Sequence, residues 1–189
     1  MPGSRRTKDD WTEIALAAIA EGGAAAVAVE PLAAGVGATK GSLYWHFPTR
    51  DALLDAALAR WERDHTDGVI RLADRGATPR ERLRLLFGAV LDAGGAIELA
   101  LLASTSDPKV AAAVARVTER RLAYLTAQFT ELGFGRAQAR RRAVIGYSIY
   151  LGQAQLMRVT PELLAKSAAA RRAYVDDVLA VMLTAPAGA

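Results

Sequence analysis

The 189-residue chain is 52% hydrophobic and 23% charged with a formal net charge of +4, the profile of an ordinary globular protein rather than a disordered one. It has no cysteine and only 2 histidines, which excludes disulfides, thiolate catalysis and zinc–thiolate sites and argues against a histidine-rich metal site at His46 and His65. Charged residues interrupt every apolar stretch before it reaches about 18 residues, and MPGSRRTKDD leads into no apolar signal core, so neither a membrane span nor export is expected and a cytoplasmic location is.

Charge alone points to no surface. Up to residue 50, Arg5, Arg6, Lys8, Lys40 and Arg50 are balanced by Asp9, Asp10, Glu13, Glu21 and Glu30. The positive excess lies after residue 66, chiefly in Arg136–Arg142, where the basic run reads as a solvated helix face.

Almost the whole chain reads as helix, because alanine and leucine dominate and alternating β-branched runs are missing. The first helix is expected over about Lys8–Glu21, stopped by Gly22-Gly23. A short second helix covers about Val29–Val36, with Pro31 tolerated in its first turn. Gly37 makes a turn, and a third short helix covers about Lys40–His46 before Pro48. A longer fourth helix starts at Thr49, whose hydroxyl can cap it while Asp51 complements its dipole. Beyond Gly68 the helices lengthen. Thr78–Glu81 is a capping box with proline at the first helical position, and Leu83, Leu86, Phe87, Val90 and Leu91 form one buried stripe behind it. Gly94-Gly95 breaks that helix, and a short one intervenes before Asp107-Pro108 starts the next, which runs to about Leu132. Two more are expected at about Ala137–Met157 and Ala168–Leu183. The fold class is therefore all-α, with a head over 1–50 and a helical body over 51–189.

The two short helices around a glycine turn form a helix-turn-helix pattern, in which the later helix enters the DNA major groove by its N-terminal residues. Lys40 can donate to guanine, and Gly41 lets the backbone approach a base edge. Thr39 and Ser42 suit phosphate oxygens. Tyr44 follows one turn later, and Trp45, His46 and Arg50 can donate to the backbone beyond. Three rings of a chain with only 3 Trp, 5 Tyr and 4 Phe fall within Tyr44–Phe47; Leu43 and Phe47 are expected to face inward.

The stretch GATKGSLYWHFPTRDALL resembles the signature of the tetracycline-repressor (TetR) family of bacterial regulators, with the resemblance covering roughly residues 8–60. It implies that Lys40, Gly41 and Tyr44 face bases, that Thr39, Ser42, Trp45, His46 and Arg50 contact phosphates, and that an arm with Arg5, Arg6 and Lys8 approaches the flanking backbone or minor groove. The chain departs from the family pattern at two positions: Ala28 stands where serine or threonine often caps the second helix, and Ala38 where valine usually follows the turn glycine.

For the body, the resemblance implies a small-molecule pocket among the middle helices and dimerisation through the last two. Trp61, His65, Phe87, Leu91, Leu125, Phe129, Tyr147, Tyr150 and Gln153 are the pocket candidates, each with plain core packing as the alternative. Val144 and Leu151, with the stripe Val175, Val178, Leu179 and Met182, are the dimer candidates, and packing within one chain is the alternative. The function expected is that of a homodimeric repressor whose affinity for a palindromic operator is lowered by a small molecule. It would need neither cofactor nor metal and would not be an enzyme. A ligand-independent DNA-organising protein and a small helical enzyme are the rival readings.

Overall fold

A computed structural model of the chain describes residues 6–184. The described residues form helices and connecting turns, with no strand among them. They fall into two compact units, one running to His65 and taking in Ala96–Arg116, the other made of Thr66–Gly95 and the chain from Val117 onward.

The first unit begins with α1 (Lys8–Gly22), opened by a capping box in which Thr7 and Asp10 satisfy each other's backbone N–H groups. A 3-10 turn at Ala24–Ala26 leads to α2 (Val29–Gly35), α3 (Lys40–Tyr44) and α4 (Arg50–Glu62). Trp11, Ile19, Leu43, Phe47, Leu53 and Leu54 are each at most 2% exposed and make its core, each contributing about 1.5–3 kcal/mol by leaving water. Arg60 of α4 holds α1, its Nη1 donating to the Asp9 carbonyl at 2.9 Å and lying 3.3 Å from the Thr12 hydroxyl. After Glu62 the fourth helix does not continue as a regular α-helix. It passes at Arg63–Asp67 into a π-helical turn, and α5 (Gly68–Ala73) follows.

In the second unit, α6 (Pro79–Asp92) carries the expected Thr78–Glu81 capping box. The short α7 (Ala96–Ala103) belongs to the first unit, and α8 (Pro108–Glu131) begins in it and ends in the second. Last come α9 (Arg136–Val159) and α10 (Ala168–Leu183). Leu83, Phe87 and Leu91 of α6 meet Leu125 and Phe129 of α8, Ala139 and Ala143 of α9, and the apolar stripe of α10 in one core. Gly146 lets α9 come close, because a Cβ there would lie 2.7 Å from Met182 Cε and 3.0 Å from Phe87 Cζ.

Two expectations change here. Val175, Val178, Leu179 and Met182 are between 0% and 7% exposed within a single chain, so they are core residues and not a surface offered to a second copy. The apolar stripe on α10 has its partner in α6 and α9 of the same chain. Arg142 is likewise no part of a solvated basic face: its guanidinium donates to the carbonyls of Met182 and Thr184 and stacks 4.2 Å above the Phe134 ring. It caps the C-terminus of α10, where the last carbonyls of any helix lack intrahelical donors.

Candidate nucleic-acid interface

The turn between α2 and α3 is set by Gly37, whose φ of +64° is the left-handed conformation that glycine adopts without penalty. Its N–H donates to the Ala34 carbonyl at 3.0 Å and the next N–H, of Ala38, reaches back to the Ala33 carbonyl at 2.9 Å. These two bonds are the Schellman pattern that closes a helix and redirects the chain. At the other end of α2, Ala28 provides no side-chain cap, as its lack of a hydroxyl requires. After the turn, the Thr39 hydroxyl accepts from the Ser42 N–H at 3.3 Å and starts α3.

This geometry sorts α3 into two faces. Leu43 is fully buried and Phe47 is 2% exposed, the inward pair that the sequence predicts. Thr39, Lys40, Gly41, Tyr44 and Trp45 lie on the outer face, Tyr44 at 46% and Trp45 at 73% exposure. Burial does not account for the position of Trp45, most of whose ring faces solvent. Among the described residues nothing requires a glycine at Gly41 either, since the nearest atom to an added Cβ would be the Thr39 hydroxyl at 3.8 Å.

Lys40 pairs with Glu30 across the turn at 3.2 Å, with both side chains about two-thirds exposed. A pair this exposed contributes about 0–1 kcal/mol at most, so it steers the ammonium without fixing it. Glu30 is a partner the sequence reading did not assign.

Three of the sequence-predicted phosphate contacts are engaged within the unit. The His46 Nε2–H donates to the Arg6 carbonyl at 2.9 Å. Arg6 in turn donates to the Val36 carbonyl at 2.9 Å and lies over the Trp11 ring at 5.8 Å. Arg50 Nη2 donates to the Ala24 carbonyl at 2.8 Å, while its Nη1 lies 3.4 Å from Asp51. A guanidinium has five N–H groups, so Arg6 and Arg50 keep donors to spare. Lys8 sits 5.3 Å from the centre of the Phe47 ring, a cation–π contact that binds the start of α1 to the end of the recognition segment. Arg5 lies outside the described residues.

In the second unit, Leu91 and Gln153 line a cleft of about 220 Å³ between α6, α9 and α10. The other ligand-binding candidates do not line it. Phe87, Leu125 and Phe129 are interlocked core residues at 0–4% exposure. Tyr147 and Tyr150 are half-buried, the former 3.3 Å from the Thr118 hydroxyl and the latter beneath the Arg121 guanidinium at 5.8 Å. Trp61 is buried and His65 exposed in the first unit. Among the described residues no group of acidic, histidine or cysteine side chains could hold a metal ion, and no single helix is long and apolar enough to cross a membrane.

The profile of the bacterial regulatory proteins of the tetR family matches residues 12–57, the segment that contains α2, the Gly37 turn and α3. No curated protein sequence matches the chain closely enough to count as a relative. Among solved structures, a TetR transcriptional regulator from Legionella pneumophila superposes with a TM-score of 0.70 at 18% identity, covering 94% of this chain and 98% of that one. The ketosteroid transcriptional regulator KstR2 of Mycobacterium tuberculosis gives 0.61 at 23% identity, covering 97% and 95%. The helix-turn-helix therefore lies inside a segment that matches the family model of the bacterial regulatory proteins of the tetR family, and the all-α fold of the chain is the one these solved regulators share.

Proposed function

We propose that the protein is a homodimeric, sequence-specific transcriptional repressor that reads a palindromic operator with Lys40, Gly41 and Tyr44 of α3 and releases it when a small molecule binds the second unit. The observation that carries the DNA reading is the outer face of α3, where exposed Tyr44 and Trp45 flank an ammonium and an unexplained glycine above a locked Leu43–Phe47 base. Thr39, Ser42, Trp45, His46 and Arg50 serve the phosphates, with Arg6 and Lys8 at the flank. Phosphate contacts fix register, and base contacts carry specificity.

Dimerisation rests on a different surface from the one the apolar stripe of α10 suggests. Val144, Ile145, Leu156 and Val159 of α9 are 43–63% exposed and Val181 of α10 is 71% exposed. With the small residues Ser148 and Gly152 also exposed between them, they make an apolar helix face suited to close two-fold packing. Leu151 is half-buried at its edge. The effector response follows from linkage: a ligand that lowers operator affinity must itself bind more weakly to the DNA-bound protein, by the same factor.

The test is selection of bound duplexes from a random pool by the purified protein at fixed, near-physiological salt. The reading requires an enriched palindrome with half-site centres about 10–10.5 base pairs apart, or a multiple of that spacing. Binding without enrichment and with a steep salt dependence would instead mark a DNA-organising protein.

A further inference from the structure

The cleft between α6, α9 and α10 is lined by two polar groups that have no hydrogen-bond or ion-pair partner among the described residues. Gln153 on α9 is 9% exposed, yet among the described residues its amide has no hydrogen-bond partner. The amide is not sealed inside the protein but reaches the cleft, so its donor and acceptor are open to a bound molecule. At the mouth, Arg84 is paired with Asp176 at 2.5 Å and Arg171 with Asp92 at 2.6 Å. Arg172, which lines the same cleft, has no such partner among the described residues. The lining therefore has one uncompensated positive charge.

A third feature has the same sense. Gly88 lies in the interior of α6 and lines the cleft, and an added Cβ there would meet no atom within 4 Å. A glycine inside a helix is less stable than alanine, and no neighbouring protein atom occupies the space it leaves. Leu91, Met157 and Val175 supply the apolar wall. The volume of about 220 Å³ is room for roughly seven non-hydrogen atoms at ~30 Å³ each.

We infer that this cleft is a binding site for a small amphipathic monocarboxylate, with its carboxylate between Arg172 and the Gln153 amide and its apolar body over Gly88. One free guanidinium matches one negative charge, whereas a phosphate dianion would bring one charge too many into a site with an apolar wall. The inference deepens the effector reading above and names the chemistry of the effector.

The experiment is calorimetric titration of the full-length protein with butanoate and pentanoate, against the neutral butanamide and pentanamide. Saturable carboxylate binding is expected, at about millimolar Kd for molecules of so few atoms, with the amides roughly tenfold or more weaker. Arg172→Gln, an exposed change that leaves the core untouched, removes that preference. Gly88→Leu fills the space and abolishes binding while the thermal midpoint stays or rises. Equal binding of amides and carboxylates, unaltered binding by Gly88→Leu, or no saturable carboxylate binding would each overturn the inference. Carboxylate binding with these variant effects but no change in operator affinity would uphold the site and refute the effector role, so the two readings fail separately.

Discussion

His46 and Arg6 are 40 residues apart in sequence, yet the His46 ring donates from Nε2 to the Arg6 backbone carbonyl at 2.9 Å. The turn after the recognition helix thus holds the start of the N-terminal arm. His46→Ala is expected to cost about 1 kcal/mol, the value of one such bond, and to lower the thermal midpoint by ~2–4 °C. If the arm meets only the DNA backbone, operator and random duplexes should lose affinity by the same factor. Fluorescence anisotropy on both duplexes checks this; a change in their ratio would assign His46 to base readout instead.

Gly41 and Lys40 separate stability from recognition. Gly41→Ala meets nothing closer than 3.8 Å in the protein and should stabilise α3 by roughly 0.5–1 kcal/mol. If a base edge approaches that backbone, operator affinity falls about tenfold in the same variant, a loss of ~1.4 kcal/mol. Lys40→Ala should cost about 1–3 kcal/mol of operator binding and relax preference at one base pair. Urea denaturation and binding to a set of single-base operator variants together decide the matter. Stability and affinity moving in the same direction for Gly41→Ala would refute the close approach.

Much of this site was legible in the sequence because its punctuation is chemical. Gly37, Thr39, Pro48 and Thr49 each act within a few residues of themselves, so helix limits and the inward pair Leu43 and Phe47 follow from local rules. What was not legible depends on distant segments meeting. The stripe Val175, Val178, Leu179 and Met182 announces an apolar partner but cannot say whose; that partner is α6 and α9 of the same chain. The engagement of Arg50 with Ala24, 26 positions away, and of Arg142 with the end of α10 has no local signal at all. Gly88 carries no signal in the sequence, because its neighbours in the cleft, Gln153 and Arg172, come from distant helices.

Arg142 gives a stability prediction in the second unit. It caps the Met182 and Thr184 carbonyls and covers the Phe134 ring at 4.2 Å. Arg142→Ala removes a charge-assisted cap and a cation–π stack together, for an expected loss of about 2–3 kcal/mol. Hydrogen exchange should register it first in the last turn of α10. Arg142→Lys should recover part of the loss, because an ammonium reaches a carbonyl but lacks the planar stack.

Acid should act on the start of α1. The Asp10 carboxyl is held below the ordinary aspartate value of 3.8, first by the Thr7 backbone N–H and then by the Thr7 hydroxyl. Since the folded value is depressed, its contribution is complete above the unfolded value and is lost as pH falls through the folded one. Asp10→Asn should therefore flatten the stability curve below about pH 4 while changing its slope little between pH 6 and 8. Thermal melts across that range make the comparison, and an unchanged acid limb would show that other carboxylates govern it.

The α9 surface offers the sharpest test of assembly. Ile145 is 50% exposed and Leu179 fully buried, although both are apolar residues on the last two helices. Leu179→Ala should behave as a core truncation and cost about 2–5 kcal/mol of folding stability. Ile145→Arg should leave the thermal midpoint of the monomer nearly intact, because the side chain is already half in solvent, and should shift sedimentation from dimer to monomer. Separated heads lose the effective concentration that links two half-sites, so affinity for a palindrome should fall by ~10²–10⁴ while affinity for one isolated half-site stays the same. A stable dimer in Ile145→Arg would move the two-fold contact off this face. A monomer that still binds the palindrome as tightly would show that each head reads its half-site without help from the other.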